Sequence, residues 1–554
     1  MQIIKTFSVA CIIVSPFLLK GQSSFIQQGS KEYILMDRLE IKMQKDSMLN
    51  FSFIKPFNRK WWVEGLERAS QDQKLLLSKV DRYNISRSKL NNLEWSSDGA
   101  VQQLSRKSVF QTFFKDPANF IGIRQKDFFL SVNPVLQLQA IKDDASGELL
   151  YQNTRGAVVR SLIAKKLGFM AYLTENQEKP PVFVREQNLR LRSVPGAGLY
   201  RRFKETGFDY FDARGAVYFN AAKFIDLSFG YDKYFLGNGY RSLFFADHSA
   251  SHLYLNMNLR VWKLNYVSRV MELTSQYTRN RDLDTLYPKK YAVLHHLSIN
   301  PAKWLTLGLF ESVVFGRANQ FEFNYLNPVM FLRGAELSVG SPDNSFIGFD
   351  AKANIAKRVQ LYGQIFLDEF YTKYIRERKG WWGNKWAVQA GMKYIDVLGI
   401  KNLDMQLETN WIRPFTYSHF DTIANYTHYN QPIAHPLQSN IREYIGILRY
   451  QPAPKWYLQA KLIYWQSGLD TASKNFGNNI FLDNDTRALP QNGYFFGTPI
   501  PRKNIHGNIW LAYELKENLF LEANLNMRQI GPFPTNAFTT LGIRWNMQRR
   551  EYDY

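Results

Sequence analysis

Cysteine is almost absent from the 554-residue chain, in which Cys11 is the only one. It lies in residues 1–22, which have the pattern of a secretory signal peptide: Lys5, an apolar run over 6–19, and then small and polar residues. Removal of this peptide leaves a mature chain without cysteine, which excludes disulfide frameworks and thiolate metal sites. A lipoprotein would need Cys11 as its first mature residue, but the apolar run continues past it.

Long apolar runs are also missing. After residue 22 there is no stretch of 18 consecutive apolar residues, so any further membrane crossing would use strands. Aromatic residues nevertheless make up 15% of the chain, while the mean hydropathy is −0.34. This combination is typical of a transmembrane β-barrel, whose strands face lipid on one side and water on the other. A large extracellular β-sandwich would fit the composition almost as well.

Acidic residues are few compared with basic ones. The chain has 48 Asp and Glu against 70 Lys and Arg, a formal net charge of +22. On a secreted protein this charge argues against nucleic acid and favours outer-membrane lipid, lipopolysaccharide and acidic surface polysaccharide as partners. The alternative is that the excess cations occupy turns and the membrane interface.

Residues 23–120 differ from the rest of the chain. The segments 33–43, 58–71 and 71–95 are rich in Glu, Arg, Lys and Leu, with apolar residues at steps of three and four. This spacing predicts short amphipathic helices, the second of which starts near Pro56 and Asn58. We expect a small helical region outside the membrane.

Residues 121–554 carry the pattern of an outer-membrane antiparallel β-barrel. From Asp127 onward, apolar and polar residues alternate, as in 253–261, 403–411 and 519–528, and the polar positions include charges. Nine residues are about the length that a tilted strand needs to cross a bilayer. At about 23 residues per strand and connection, the region predicts about 18 strands, within a range of about 16 to 20. Residues 539–547 are the predicted closing strand.

The connections fall into two kinds. Short turns recur at 220–224, 300–304, 354–359, 452–456 and 514–519, whereas long polar segments cover 272–290, 413–440 and 466–503. Short turns at one end and long loops at the other are typical of outer-membrane barrels, whose short turns face the periplasm. The aromatic residues beside the turns, Phe224, Trp304 and Trp456, would then lie at the membrane interface.

The glycine-rich stretch "FLGNGYRSLFFADHSA" (235–250) could be a phosphate-binding loop or a connection between strands. A phosphate loop needs a helix directly after it, but strand patterns lie on both sides here. The glycines therefore permit a positive φ or a close backbone approach in a strand end or an inward-folded loop. We interpret Arg241 first as part of a structural salt link in the barrel mouth and second as a glycan contact.

Several motifs together resemble one known family. The stretch just quoted, with "YILMDRLEIK", "YLNPVMFLRGAE", "GWWGNKW" and "RPFTYSHFDTIANYTHYNQPIAHPL", is similar to the capsule-assembly Wzi family, in its gliding-motility RemB-like branch, over essentially the whole mature chain. The resemblance implies an outer-membrane barrel preceded by a periplasmic helical bundle. It also implies a role in holding capsular polysaccharide on the cell or in surface gliding, with gliding or secretion machinery as partners. No sugar-contacting positions can be carried over.

A second candidate glycan site lies in residues 376–386. Trp381 and Trp382 stand among basic residues, of which Arg376, Arg378 and Lys385 are the glycan candidates. Indole rings stack on sugars, and Arg and Lys pair with uronates or phosphates. The alternative, which we favour, is an interfacial aromatic girdle with basic neighbours that face lipid head groups.

Catalytic and metal motifs are weak. His419, His428 and His435 are too widely spaced to fix a metal geometry, and no serine has the context of a nucleophile. Glu408 fits a charged lumen ladder with arginines such as Arg442. We therefore predict no cofactor, no metal site and no enzymatic activity, and a barrel that acts in polysaccharide attachment or gliding. A diffusion porin and a lipid-modifying outer-membrane enzyme remain the alternatives.

Overall fold

The computed structural model describes residues 24–96, 113–277, 286–329, 331–340 and 343–554. The predicted signal peptide, residues 1–22, lies outside these ranges. Within them, no helix is both long and apolar enough to cross a membrane.

Eighteen antiparallel strands close into one barrel, which confirms the predicted fold class and strand number. Consecutive strands pair with each other, and the last pairs with the first, with Phe538 opposite Asp143 and Trp545 opposite Leu136. The strands are β1 (Phe128–Asp143), β2 (Leu150–Ile163), β3 (Leu167–Lys179), β4 (Gly207–Ala222), β5 (Ile225–Asp232), β6 (His252–Val261), β7 (Leu264–Thr274), β8 (Lys289–Ala302), β9 (Leu305–Phe315), β10 (Asn344–Ile355), β11 (Val359–Glu369), β12 (Lys385–Tyr394), β13 (Leu403–Ile412), β14 (Ile441–Tyr450), β15 (Trp456–Gly468), β16 (Pro501–Lys516), β17 (Leu519–Ile530) and β18 (Asn536–Trp545).

The alternation in the sequence becomes the two faces of the wall. In β13, Gln406, Glu408 and Asn410 are buried in the lumen, whereas Leu407 and Trp411 face outward and are exposed. Successive side chains of a strand point to opposite faces, so one strand can place carboxylates inside and apolar groups outside. An apolar exterior around a polar interior is the architecture of a transmembrane barrel.

The two ends of the barrel differ as predicted. Short turns join β2 to β3, β4 to β5, β6 to β7 and so on around one rim, whereas most connections at the other rim are long. Phe224, Trp304 and Trp456 lie beside the short turns with 45%, 45% and 42% of their surface exposed. Three short helices lie in the long connections: α4 (Val182–Leu191), α5 (Leu332–Ser338) and α6 (Thr372–Glu377), numbered after the three N-terminal helices.

The N-terminal region forms the predicted short helices: α1 (Glu32–Met43), α2 (Arg59–Gln71) and α3 (Lys79–Asn91). Asn58 caps α2 by accepting the backbone N–H groups of Lys60 and Trp61, and Ser78 forms a capping box with Asp81 at the start of α3. A small apolar core that includes Leu39, Trp62, Leu66 and Ile85 holds the helices together.

These helices dock on the rim of short turns. Arg38 of α1 lies 2.9 Å from Asp396 in the turn between β12 and β13 and also pairs with Asp404. Lys31 and Arg87 both pair with Glu517 in the turn between β16 and β17, at 2.8 and 2.5 Å. The helical region therefore forms a cap, here defined as residues 24–96, that closes this end of the barrel.

Candidate functional site

Among the described residues, four parts of the chain contribute most to the filling of the barrel lumen. Residues 50–57 enter from the capped end. The inner loop, residues 233–251, and the connection 413–440 fold in from the opposite rim. The tail, residues 546–554, turns back from the end of β18 into the interior. Most of the lumen is thus packed with protein.

An apolar core holds these segments against the inner wall. The ring of Phe244 in the inner loop stacks on Phe310 of β9 with centroids 4.4 Å apart. The hydroxyls of Tyr417 and Tyr426 donate hydrogen bonds to the carbonyl oxygens of Leu243 and Phe244, at 3.0 and 2.7 Å. Since buried hydroxyls are bonded here, the two inward loops are fixed to each other as well as to the wall.

The glycines of the inner loop allow its backbone to lie close to the inner wall of the barrel. Neither Gly237 nor Gly239 has a positive φ, but a Cβ on Gly239 would lie 2.5 Å from an oxygen of Glu408. The backbone N–H groups of Tyr240 and Arg241 donate to that carboxylate at 2.6 and 3.0 Å. The backbone of this stretch therefore binds the carboxylate of Glu408, which is a side chain of β13. The prediction of an inward-folded connection is confirmed.

Arg241 lies deep in the lumen, below the rim where the sequence placed it. Its guanidinium donates to the carbonyl oxygen of Asp553 at 2.6 Å and lies 3.4 Å from the carboxylates of Asp553 and Glu443. It also lies over the ring of Tyr240. Arg241 thus joins the inner loop to the tail and to β14, which agrees with the structural salt link.

The tail is held by charged groups of the inner wall. Lys461 of β15 pairs with Glu551 and Asp553 at 2.7 and 2.5 Å. Arg550 pairs with Glu178 of β3 at 2.5 Å. These buried pairs place alternate residues of the tail on two sides of the lumen.

A cavity of about 500 Å³ lies between the cap, the inner loop, the tail and the inner wall. Its lining contains twelve basic and seven acidic side chains. The basic residues are Lys31, Lys55, Arg59, Arg160, Arg214, Lys233, Arg241, Lys393, Arg449, Arg544, Arg549 and Arg550. The acidic residues are Glu32, Asp37, Glu178, Asp212, Asp247, Glu551 and Asp553.

Some of these cations have no carboxylate partner among the described residues. The ammonium group of Lys233 donates to the carbonyl oxygen of Asp247 at 3.0 Å, and that of Lys55 lies over the ring of Phe235. Burial, followed by the nearby Arg214, lowers the pKa of Lys233 to about 8. Burial also lowers the pKa of Lys55. An anion in the cavity would stabilise the charged form of both amines.

The tryptophan cluster lies among the long loops. Trp381 stacks on Tyr374 with centroids 4.2 Å apart, and Trp382 lies under the guanidinium of Arg487. Lys385 is fully buried and bonded to Glu369 at 2.9 Å and to the carbonyl oxygen of Ser418. Its amine is therefore occupied.

Arg376 and Arg378 are exposed at the end of α6. The structure thus brings the two indoles and Lys385 together and leaves these two arginines at the surface. Their role as glycan contacts stays a prediction.

The predicted ladder between Glu408 and Arg442 is wrong. Arg442 alternates with the lumen-facing Glu443 and points outward, where it lies over the rings of Trp411 and Phe496. Because a shift of one residue along a strand moves the side chain to the other face, Arg442 faces outward and not into the lumen as predicted.

Sequence reasoning missed the cavity and the inward course of the tail. One signal was the run Arg549–Tyr554, shortly after the closing strand, in which three charged residues are followed by Tyr552, Asp553 and Tyr554. Aromatic residues interleaved with charges fit a segment that packs inward and pairs with buried charges.

Neither known family models nor curated protein sequences match this chain. Among solved structures, the chain is similar to Wzi of Escherichia coli, described as an outer membrane protein involved in group 1 capsule assembly and a carbohydrate-binding β-barrel. The two are 13% identical over 95% of this chain and 100% of that chain, with a TM-score of 0.54. At this identity, the likeness is one of fold.

Two further solved structures are similar over 75% of this chain. OprD of Pseudomonas aeruginosa is 11% identical over 94% of its own length, with a TM-score of 0.42. OccK8 (OprE) of the same organism is 9% identical over 97% of its length, with a TM-score of 0.43.

Proposed function

We propose that this protein is a non-enzymatic outer-membrane barrel that binds an acidic surface polysaccharide and retains it at the cell. The observation that carries the proposal is the filled lumen, whose remaining cavity is lined by more cations than anions. A lumen packed with two loops, a tail and part of the cap suits a binding protein rather than a conduit for bulk diffusion.

The chemistry of the cavity suits carboxylate or phosphate groups on sugars. Lys55 and Lys233 lie on its lining without a carboxylate partner among the described residues. Within the part of the chain that the structure describes, Arg59 donates only to the carbonyl oxygen of Phe25 and the amide oxygen of Asn92. A uronate or a phosphate would supply the missing negative charge and accept hydrogen bonds from these groups.

The orientation follows from the two rims. In outer-membrane barrels the short turns face the periplasm, so the cap would be periplasmic and the tryptophan cluster would face the cell surface. Trp381, half-buried and stacked on Tyr374, would offer an additional surface for sugar rings. The likeness of fold to the carbohydrate-binding Wzi supports the proposal that this barrel binds a polysaccharide.

Binding is tested with the purified full chain in detergent. We expect it to retain a polyuronate and to release it as the salt concentration rises, and to bind a neutral glucan of matched length much more weakly. Lys233→Gln should weaken polyuronate binding, whereas Lys401→Gln, an exposed lysine in a short turn, should leave it unchanged. Equal binding of the charged and the neutral glycan would overturn the proposal.

The cellular role is tested by a clean deletion. We expect loss of surface polysaccharide from the cell, with the same strain scored for colony spreading because of the resemblance to the RemB-like branch. A deletion strain that keeps its polysaccharide and spreads normally would contradict the proposed function but not the description of the fold.

A further inference from the structure

The connection between β9 and β10 folds over the outside of the barrel. We call its described residues within 316–343 the wall loop. Tyr325, Leu332 and Ala335 of this loop are buried in one apolar cluster with the outward residues Val293 and Val313. The residues that alternate with them, Leu294 and Val314, belong instead to the core of the lumen. The wall loop therefore packs on the outer face of β8 and β9.

This part of the outer face is polar under the loop. His295 and Glu311 form a pair, Nδ1 to Oε1 at 2.9 Å, on the outward side of β8 and β9. The backbone N–H of Leu332 donates to the second oxygen of Glu311 at 3.0 Å, and the hydroxyl of Tyr266 donates to the carbonyl oxygen of Pro328. The wall loop thus binds polar groups on the outward faces of β7 and β9.

The helix α5 continues this polar contact. The hydroxyl of Ser345, on the outward side of β10, donates to Glu336 at 2.9 Å. Arg333 binds the same carboxylate and the same hydroxyl. The polar groups of the loop and of the wall are therefore turned toward each other.

The covered area lies at the height of a membrane. Trp304, exposed beside the short turn, marks the lower edge of the apolar band. Glu311 lies six residues further along the strand than Leu305, which is about 20 Å along the strand and about 15 Å in height at a tilt near 40°. The apolar band of such barrels is about 25 Å tall, so Glu311 and the loop above it lie within the band.

Several apolar side chains of the wall loop are strongly exposed, and polar residues such as Asn324, Asn327 and Arg333 are exposed between them. Phe323, Val329, Phe331 and Leu337 have 76%, 89%, 69% and 61% of their surface exposed. Directly below, the exposed outward residues Leu297, Leu307 and Phe349 continue the apolar surface of the wall. A patch of this kind on a water-soluble surface would need a partner, whereas here it adjoins the lipid-facing band.

We propose that the wall loop is inserted in the outer leaflet and that lipid acyl chains cover its exposed residues. The loop shields the His295–Glu311 pair from hydrocarbon and gives the lipid an apolar surface in its place. Charged groups that face lipid at mid-height are costly, so the shield allows the wall to keep a polar patch there. The inference rests on the barrel's spanning a membrane and is independent of the bound polysaccharide.

The test uses site-directed spin labels on the full chain in lipid vesicles. Cys11, the only cysteine, lies in the predicted signal peptide, so the mature chain is a cysteine-free background into which single cysteines can be introduced. Val329→Cys and Phe331→Cys report on the wall loop, Leu307→Cys on the lipid-facing wall, and Asp485→Cys on an exposed loop. Two positions on the wall loop give independent readings if one label disturbs insertion.

We expect the labels at Val329 and Phe331 to collide more with oxygen than with a water-soluble nickel reagent, as the label at Leu307 does. The label at Asp485 should show the reverse. Wall-loop labels that behave like the one at Asp485 would place the loop in water and overturn the proposal. Labels shielded from both reagents, with dipolar broadening between copies, would overturn it in favour of contact with a second copy of the chain.

Discussion

Buried charges of the lumen are arranged so that each chain segment supplies a partner for another. Arg241 of the inner loop meets Asp553 of the tail and Glu443 of β14. The sequence could suggest that Arg241 takes part in a salt link, since charges near strand ends are usually paired. It could not name the partners, because they lie about 200 and 310 residues away in the chain.

Replacement of Arg241 tests the salt link. We expect Arg241→Ala to lower the free energy of unfolding by about 3–5 kcal/mol, because Asp553 and Glu443 keep their burial and lose a cation. The measurement is urea unfolding of the full chain in detergent.

Arg376→Ala, which removes an exposed arginine from α6, is the matched control and should change little. An Arg241→Ala protein as stable as the control, but unable to hold polysaccharide, would show that Arg241 serves the ligand.

Gly239 is a position where a single methyl group matters. In Gly239→Ala the new Cβ would lie 2.5 Å from Glu408 and 2.6 Å from the carbonyl oxygen of Arg241. We expect a loss of about 1–3 kcal/mol in the free energy of unfolding, since the inner loop must shift. Gly147→Ala is the control, because a Cβ there meets nothing within 4 Å. Equal stability of the two variants would contradict the packing argument.

Among the elements, the helices of the cap were predictable and their docking was not. The start of α2 at Asn58 follows from a local rule, since an Asn side chain before a helix accepts its free N–H groups. The docking depends on Arg38 and Lys31, whose partners lie in turns of the barrel far along the chain. Solvated surface charges and docking charges look alike in a sequence.

The docking of the cap should be sensitive to acid. Burial by itself raises the pKa of Asp396, but Arg38 and Lys42 more than offset this, so that the pKa is about 2 instead of 3.8. A carboxylate with a lowered pKa stabilises the folded state above pH of about 4 and loses this contribution as the pH falls toward 2. We expect a loss of about 1–2 kcal/mol from Asp396 across this range.

Hydrogen exchange of the backbone of α1 measures the effect. Asp396→Asn should raise the exchange rate at neutral pH and abolish much of the acid response. The pKa of Glu517 is lowered as well, despite its burial, by Lys31 and Arg87, so a residual acid response is expected. An acid response of full size in Asp396→Asn would contradict the assignment.

For the molecule as a whole, the barrel was predictable and its contents were not. Alternation in segments such as 253–261 reports directly which residues face outward, and the length of the region, at about 23 residues per strand and connection, leads to about eighteen strands, as observed. Whether a lumen is empty or filled depends on contacts between distant segments that leave no periodic pattern. The polar residues of the inner face fit water and buried partners equally well.

Conductance in planar bilayers tests the filled lumen. We expect the full chain to pass only a small current, and deletion of residues 550–554 to raise it severalfold with a preference for anions. The preference follows because Lys461 and Arg241 would lose their partners in the tail.

Deletion of the exposed loop residues 471–474 is the control and should leave the current small. A large current through the full chain would favour the porin alternative. A deletion of 550–554 that leaves the current unchanged would show that the tail does not limit the passage.

The segments that fill the lumen come from distant parts of the chain, and this affects how the barrel is assembled. The interior is assembled from residues 50–57, 233–251, 413–440 and 546–554, so its contacts join parts of the chain that are hundreds of residues apart. Loop closure over such distances is slow, and chains rich in distant contacts fold slowly. A nascent chain that lacks its last strand would also lack part of its interior. We therefore expect the pairing of β1 with β18 and the packing of the lumen to be one late event. An assembly catalyst would have to keep β1 and β18 apart until the interior is packed.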